Sequence, residues 1–305
     1  MKQLKRLDTT PQDPYRRALR SGLRSFEMPE DAFRSLERER PERIVREDDA
    51  LLVAQAINGL LKLHYAFPHS DAFARLFPSM LERLLPSLSA DETPFGMRLR
   101  LTEAPSRPFV EPLLITNAFE LSREWLRMTL AELPDAPLPA DGIAPGFTLR
   151  AARAEDAESI AEIDAAAFPI AFNTPDAVRG SIAEGQTVRI LSADEAGRAC
   201  GFLKLRREGT SDGYVSDIAV HPEFQHRGLG EAMMRWALAW FRKEGLKRAA
   251  LTTTVGNAPA IALYRKLGFD VSETGLDYRR PLDEDEVRQV LDKNRTSHIR
   301  VRRLL

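Results

Sequence analysis

Apolar and polar positions follow two periods along this chain, and the second half parses most cleanly. Residues 147–152 (FTLRAA), 187–193 (TVRILSA), 200–206 (CGFLKLR), 214–220 (YVSDIAV) and 248–254 (RAALTTT) are rich in β-branched and apolar residues. Each is bounded by residues that favour turns or loops, which predicts strands. Between them, apolar residues recur every three or four positions over 154–168, 174–185, 228–244 and 257–267, which predicts helices. The third of these carries a stripe of Leu229, Met233, Trp236, Ala237 and Trp240, and the fourth stops at Gly268. A last strand begins at Phe269, giving the order β-α-α-β-β-β-α-β-α-β.

The first half reads in the same order. Strands are expected at 2–7, 43–47, 51–57, 60–67, 96–103 and 120–130, with helices at 14–24, 29–38, 71–88 and from about 110. Sliding the chain by 150 residues lays Leu113, Phe119, Ser122 and Leu126 on Leu263, Phe269, Ser272 and Leu276. That is more coincidence than composition supplies, and it points to an internal repeat. Between the halves runs LPDAPLPADGIAPG, 133–146, whose four prolines and missing apolar period describe a stiff linker. The expected organisation is therefore two domains, 1–140 and 141–305. Each is of α/β (α+β) class, with a mixed, mostly antiparallel sheet flanked by helices.

Charge narrows the function classes. Lys and Arg number 44 against 45 Asp and Glu, a net charge of −1, so no bulk field draws the protein to nucleic acid or to an anionic membrane. The apolar runs fall short of the ~18 residues that a membrane helix requires, and the first residues lack the apolar core of a signal peptide. A cytoplasmic protein is expected. The single cysteine, Cys200, sits in a strand without an adjacent base and reads as an inert buried thiol. His64 and His69 lack metal-ligand spacing, so no metal site is expected.

Candidate chemistry concentrates in IAVHPEFQHRGLGEAMMRW, 218–236, where a strand runs into a Gly-rich turn that opens a helix. Such a turn aims unpaired amides and the positive end of the helix dipole at one spot, where a phosphate can sit. Gly228 and Gly230 let the backbone curl, and Arg227 adds charge. The segment 225–230, QHRGLG, has the Q/R-x-x-G-x-G/A spacing that resembles the acetyl-CoA pyrophosphate loop of the GNAT superfamily of N-acetyltransferases, and VGNAPAIALYRKLGF, 255–269, resembles that family's second cofactor motif.

The resemblance covers about 147–282 and implies acetyl-CoA as co-substrate. The backbone of Ile218, Ala219 and Val220 would pair with the pantetheine arm, and His226, Arg227, Gly228, Leu229, Gly230 and Glu231 would hold the pyrophosphate. Asn257 would contact the cofactor arm, and Tyr264 would protonate the departing thiolate as well as touch the cofactor. An amine must lose a proton before it attacks, and here the family pattern breaks. The two positions where members carry a glutamate are Thr252 and Tyr214, leaving Asp217, Glu223 or a water held near Ser216; Asp217 is the expected base.

In the first half, no Q-x-x-G-x-G occurs, Asp71 stands where pyrophosphate would lie and Leu114 replaces Tyr264. A degenerate copy is expected, an arrangement that resembles tandem GNAT proteins such as mycothiol synthase. The implied activity is acetyl transfer from acetyl-CoA to a primary amine on a small molecule or peptide, by direct attack, in a monomer or homodimer. The alternative is a non-catalytic acyl-CoA sensor or scaffold.

Overall fold

The computed structural model describes residues 13–57, 60–87, 96–102, 107–135, 142–168, 173–193 and 197–281. The expected strand at 2–7 and the tail beyond 281 lie outside these residues. Contacts divide the chain into two compact units, Met1–Glu124 with Thr274–Leu305, and Trp125–Glu273. The division expected near residue 140 is therefore displaced at one end and missing a second crossing at the other.

In chain order, the first unit contains α1 (Pro14–Ala18), β1 (Leu23–Ser25), α2 (Glu30–Glu39), β2 (Ile44–Glu47), β3 (Ala50–Ile57), β4 (Leu60–Phe67), α3 (Ser70–Leu84), β5 (Met97–Leu101) and α4 (Arg107–Thr116). Strand β6 (Glu120–Leu130) starts in this unit and ends in the next. The second unit continues with β7 (Gly142–Ala144), β8 (Phe147–Ala151), α5 (Ala157–Ala167), α6 (Pro175–Ala183), β9 (Thr187–Ala193), β10 (Ala199–Glu208), β11 (Asp212–Val220), α7 (Leu229–Lys243), β12 (Arg248–Thr254) and α8 (Ala258–Lys266). Strand β13 (Asp270–Arg280) begins there and finishes in the first unit.

Sheet order in the first unit is β2-β3-β4-β5-β13, with β1 on β4; in the second it is β6-β12-β11-β10-β9-β8-β7. Each unit thus takes one strand from the other half of the chain: Leu276–Arg280 pair with Met97–Leu101, and Trp125–Leu130 pair with Ala249–Thr254. β6 and β13 are both eleven residues long. They occupy matching places in the repeat. The two units share a plan: an antiparallel series joined through one parallel pair, β4·β5 or β11·β12, with a 15-residue helix leaving the first strand of that pair.

One expected helix is corrected. Residues 14–24 do not form one helix; α1 stops at Ala18 and Leu23–Ser25 form β1. Gly22 lies so close to Pro68 that a Cβ there would stand 2.6 Å from its carbonyl oxygen, an approach that fixes the chain against the end of β4.

The core of the first unit lies on one face of its sheet, where Leu61, Leu63, Tyr65 and Phe67 of β4 meet Phe73, Phe77 and Met80 of α3, with Met97, Leu99, Leu276 and Tyr278 alongside. In the second unit α7 buries Leu229, Met233, Trp236, Ala237 and Phe241 against Leu203, Leu205, Val215 and Leu251. Burying each large side chain contributes ~1.5–3 kcal/mol, which pins the helix, and with it the turn at its N-terminus, to the sheet. On the opposite face, Ile160 and Ile163 of α5 and Val178 of α6 cover Ile190, Phe202 and Ala219.

Candidate functional site

In the second unit, the parallel pair β11·β12 lasts from Asp212↔Arg248 to Val215↔Leu251 and then ends. Both strands continue, β12 against β6 and β11 against β10. The register of β10 slips between Lys204 and Leu205, so Ser216 is bulged out opposite the break. A bulge bends its strand, and here the bend turns β11 away from β12. Residues 216–220 are left with one edge that pairs with no strand among the described residues, the edge where Ile218, Ala219 and Val220 were expected to meet an extended ligand. Ser216 Oγ is buried at the break without a hydrogen-bond partner.

At the far end of this edge, Gln225 Nε2 donates to Val220 O at 3.0 Å and ties the turn to the strand. His226 (φ 61°) and Gly228 (φ 75°) both take left-handed backbone, and Gly228 caps α7 with no side chain to satisfy the helix amides. The amides of His226, Arg227, Gly228, Leu229, Gly230 and Glu231 make no hydrogen bond to any described residue. Six successive free donors at a helix N-terminus form an anion nest. At Gly230 a Cβ would meet only Leu263 Cδ2 at 3.7 Å, so packing does not demand glycine there.

Side chains around the nest have definite tasks. Arg227 stacks over Phe224 with 5.3 Å from Cζ to the ring centroid, which holds its guanidinium beside the turn. Glu231 is engaged by Lys266 at 2.5 Å and by Arg235 at 2.8 Å, so its carboxylate neither faces the nest unpaired nor takes up protons readily; the Lys266 hydrogen bond foremost holds it below the usual range. Asn257 caps α8 by accepting from Ala260 N, and its Nδ2 donates to Thr253 Oγ1, both at 3.4 Å. Tyr264 is buried among the residues that also hold Ile218 and Val220, against Phe269. Burial pushes its phenol up to about 12.

The candidate base lies on the other face of β11. Asp217 pairs across the strands with Lys204, whose Nζ stands 3.5 Å from Oδ2. Lys204 Nζ also donates to Asn173 Oδ1 at 3.1 Å, and Asn173 donates through its backbone N and Nδ2 to Asp164 of α5, each at 3.0 Å. Burial raises the Asp217 carboxyl above its ordinary range; Lys204 opposes the rise and Asp164 adds to it. Sequence reasoning missed Asp164, Asn173 and Lys204, since nothing in their spacing joins them. Glu223 is exposed and paired with Arg198 at 2.6 Å, beside the nest. The two positions without a glutamate bond each other, Tyr214 Oη to Thr252 Oγ1 at 2.9 Å. Arg206 and Arg127 pack over the Tyr214 ring at 4.0 and 5.3 Å.

Residues 157–269 match the model of the acetyltransferase (GNAT) family. The chain carries a GNAT acetyltransferase domain. It is 30% identical over 187 residues to the mycothiol acetyltransferase of Clavibacter michiganensis subsp. michiganensis, an alignment covering 57% of this chain and 59% of that protein. It is 27% identical over 149 residues to aminoglycoside N(6')-acetyltransferase type 1 of Stenotrophomonas maltophilia, covering 46% of this chain and 97% of that one. A solved tandem GNAT protein from the clavulanic acid biosynthesis pathway superimposes with a TM-score of 0.53 at 16% identity, over 79% of this chain and 83% of the other. The chain thus spans about three fifths of the mycothiol acetyltransferase it matches. The GNAT match covers all of the second unit's β9 to β12 and both helices that follow its parallel pair.

Cys200 is buried, its thiol pushed up to about 11 by burial, and its Sγ donates to Leu191 O at 3.4 Å. Among the described residues no group of three or more His, Cys, Asp or Glu could hold a metal ion, and no helix is long and apolar enough to cross a membrane.

Proposed function

We propose that the GNAT domain transfers the acetyl group of acetyl-CoA to a primary amine, and that the observation carrying this reading is the continuous path from the free edge of β11 to the six unpaired amides of the α7 turn. The pantetheine arm adds to Ile218, Ala219 and Val220 as an extra strand, and the pyrophosphate takes the nest from His226 to Glu231. Ser216 Oγ and the open side of Gly230 are consistent with that ligand.

Catalysis then follows from the two faces of β11. The thioester lies in the gap between β11 and β12. Asp217, on the face covered by α5, accepts the proton of the ammonium, directly or through a water. The free amine attacks the thioester carbonyl, its nitrogen forming the new C–N bond. As the tetrahedral adduct collapses, the C–S bond breaks, Tyr264, on the α7 face, gives its proton to the sulfur, and the second proton of the attacking nitrogen passes through solvent to restore the phenol. Raised to about 12, the phenol keeps that proton at neutral pH and yields it only in concert with C–S cleavage. Positioning and backbone donors supply the rest. The acceptor is a small-molecule or peptide amine.

The Tyr214–Thr252 pair, standing where a carboxylate would be usual, favours one second reading, an acyl-CoA sensor without turnover. Release of free CoA from acetyl-CoA in the presence of an amine panel separates the two. Turnover lost in Asp217→Asn and Tyr264→Phe with affinity kept supports the enzyme; saturable binding with no amine-dependent CoA release supports the sensor.

A further inference from the structure

On the first unit's sheet, the face opposite the α3 core carries a row of cations. Register sets it: Lys62 of β4 stands beside Arg98 of β5, and Arg98 stands directly opposite Arg279 of β13. Their neighbours Leu61, Leu63, Met97, Leu99 and Tyr278 are all in the core, so alternation sends these three side chains to the other face. Arg100 and Arg123 join them there. Among the described residues, two carboxylates pair with members of this row. Glu27 takes Lys62 at 2.5 Å and Arg100 at 3.3 Å; Asp277 takes Arg100 at 2.9 Å and Arg123 at 2.5 Å.

That accounting leaves two guanidiniums over. Arg98 and Arg279 are half-buried and make no ion pair or hydrogen bond with any described residue. Like charges directly opposite one another destabilise a strand pair, and a partly desolvated cation without a direct ion pair is costly. Burial pulls the Arg98 guanidinium below its ordinary value; the nearby Asp277 opposes the fall, and Arg100 and Arg123 add to it. His64, its Nε2 hydrogen-bonded to Gln55 Oε1 at 2.9 Å, has its Nδ1 buried beside this cluster with no partner. Its imidazole is driven down to about 3 by burial and by Lys62, so it adds no charge at neutral pH.

We propose that Arg98 and Arg279, with Lys62 beside them, form a binding site for a phosphate monoester in the first unit. Two guanidiniums on facing strand positions present paired N–H forks, the donor geometry that tetrahedral oxyanions accept. A phosphate monoester carries ~−1.5 to −2 at pH 7 and can engage both unpaired guanidiniums at once, whereas a carboxylate carries a single charge. This site is independent of the acetyl-CoA reading, since it lies in the other unit and uses none of its residues.

The test is titration of the full-length protein with inorganic phosphate at constant ionic strength, read from the arginine Nε–H resonances, those of Arg98 and Arg279 being assigned by their loss in Arg98→Gln and Arg279→Gln. Saturating shifts of both are expected, with at least tenfold weaker phosphate binding at this site in either variant and an intermediate loss in Arg98→Lys, which keeps charge but not the fork. Acetate should bind at least tenfold more weakly than phosphate. Unshifted Arg98 and Arg279 resonances, acetate binding as tightly as phosphate, or variants that bind as wild type would each overturn the proposal. Should a glutamine variant unfold, Arg98→Lys and Arg279→Lys, each of which removes one arginine Nε–H resonance, supply the assignment and decide it.

Discussion

The two units open the same gap and treat it differently. In the second, β11 leaves β12 after Val215 and its edge stays free to Val220. In the first, β4 leaves β5 after Leu63, but Leu23–Ser25 of β1 then pair with Tyr65–Phe67 and fill the edge. The helix that follows differs in the same sense. α7 opens on bare amides at Gly228, while α3 is capped by His69, whose Nδ1 accepts from Ala72 N at 3.2 Å. One edge pairs with no strand among the described residues; the other is closed by the chain itself. In the first unit the corresponding edge is thus occupied by backbone, in addition to lacking the Gly-rich motif.

The largest expected effect comes from breaking the strand exchange. A fragment of residues 141–305 lacks Trp125–Leu130, and with them the buried Trp125, Leu126, Met128 and Leu130 of the second unit. At ~1.5–3 kcal/mol for each large apolar side chain, that loss is comparable to a whole domain's stability of ~5–15 kcal/mol. The fragment should show no cooperative thermal transition by circular dichroism, while a chain starting at Glu120 retains the strand. A cooperative transition in 141–305 would mean that β6 is dispensable.

Next in size is the acid. Tyr264→Phe should lower kcat by ~10²–10⁴ with acetyl-CoA affinity kept, measured by steady-state CoA release alongside calorimetry. Asp217→Asn should do the same. Since burial raises the Asp217 carboxyl and the base role proposed for it needs the ionised form, the acidic limb of kcat/KM should lie above the ordinary aspartate range and vanish in the variant.

The smallest effect sharpens the contrast from the first unit's side. Burial would raise Glu27, yet Lys62 and Arg100 bring it down to about 2 from an ordinary 4.5. The unfolded chain then binds the extra proton between those values, so the stability from Glu27 is present above about 4.5 and lost as pH falls toward about 2. Glu27→Gln should flatten denaturant midpoints over that acid range. An unchanged slope would mean the Glu27 pairs are too exposed to matter.

Much of this was legible. The strands 60–67, 120–130, 187–193 and 248–254 stand at their expected bounds, and α7 and α8 within one residue of theirs. A strong period and a Gly-rich turn are local signals, and so is the nest. β1 was not legible: three residues, LRS, carry no period, and their pairing depends on Gly22 meeting Pro68 46 positions later. The exchange of β6 and β13 was hidden because the repeat makes them interchangeable in pattern. Asp217 was visible as a carboxylate on the right strand, but the Lys204–Asn173–Asp164 chain behind it spans three elements. The row of Arg98 and Arg279 depends on register between strands some 180 residues apart.

The central claim, that one gap is open and the other filled, is tested most directly by calorimetric stoichiometry with acetyl-CoA on the full-length protein. One site per chain is expected, abolished by Gly228→Asp, which puts a carboxylate into the amide nest. Two sites per chain, or one that survives Gly228→Asp, would contradict it.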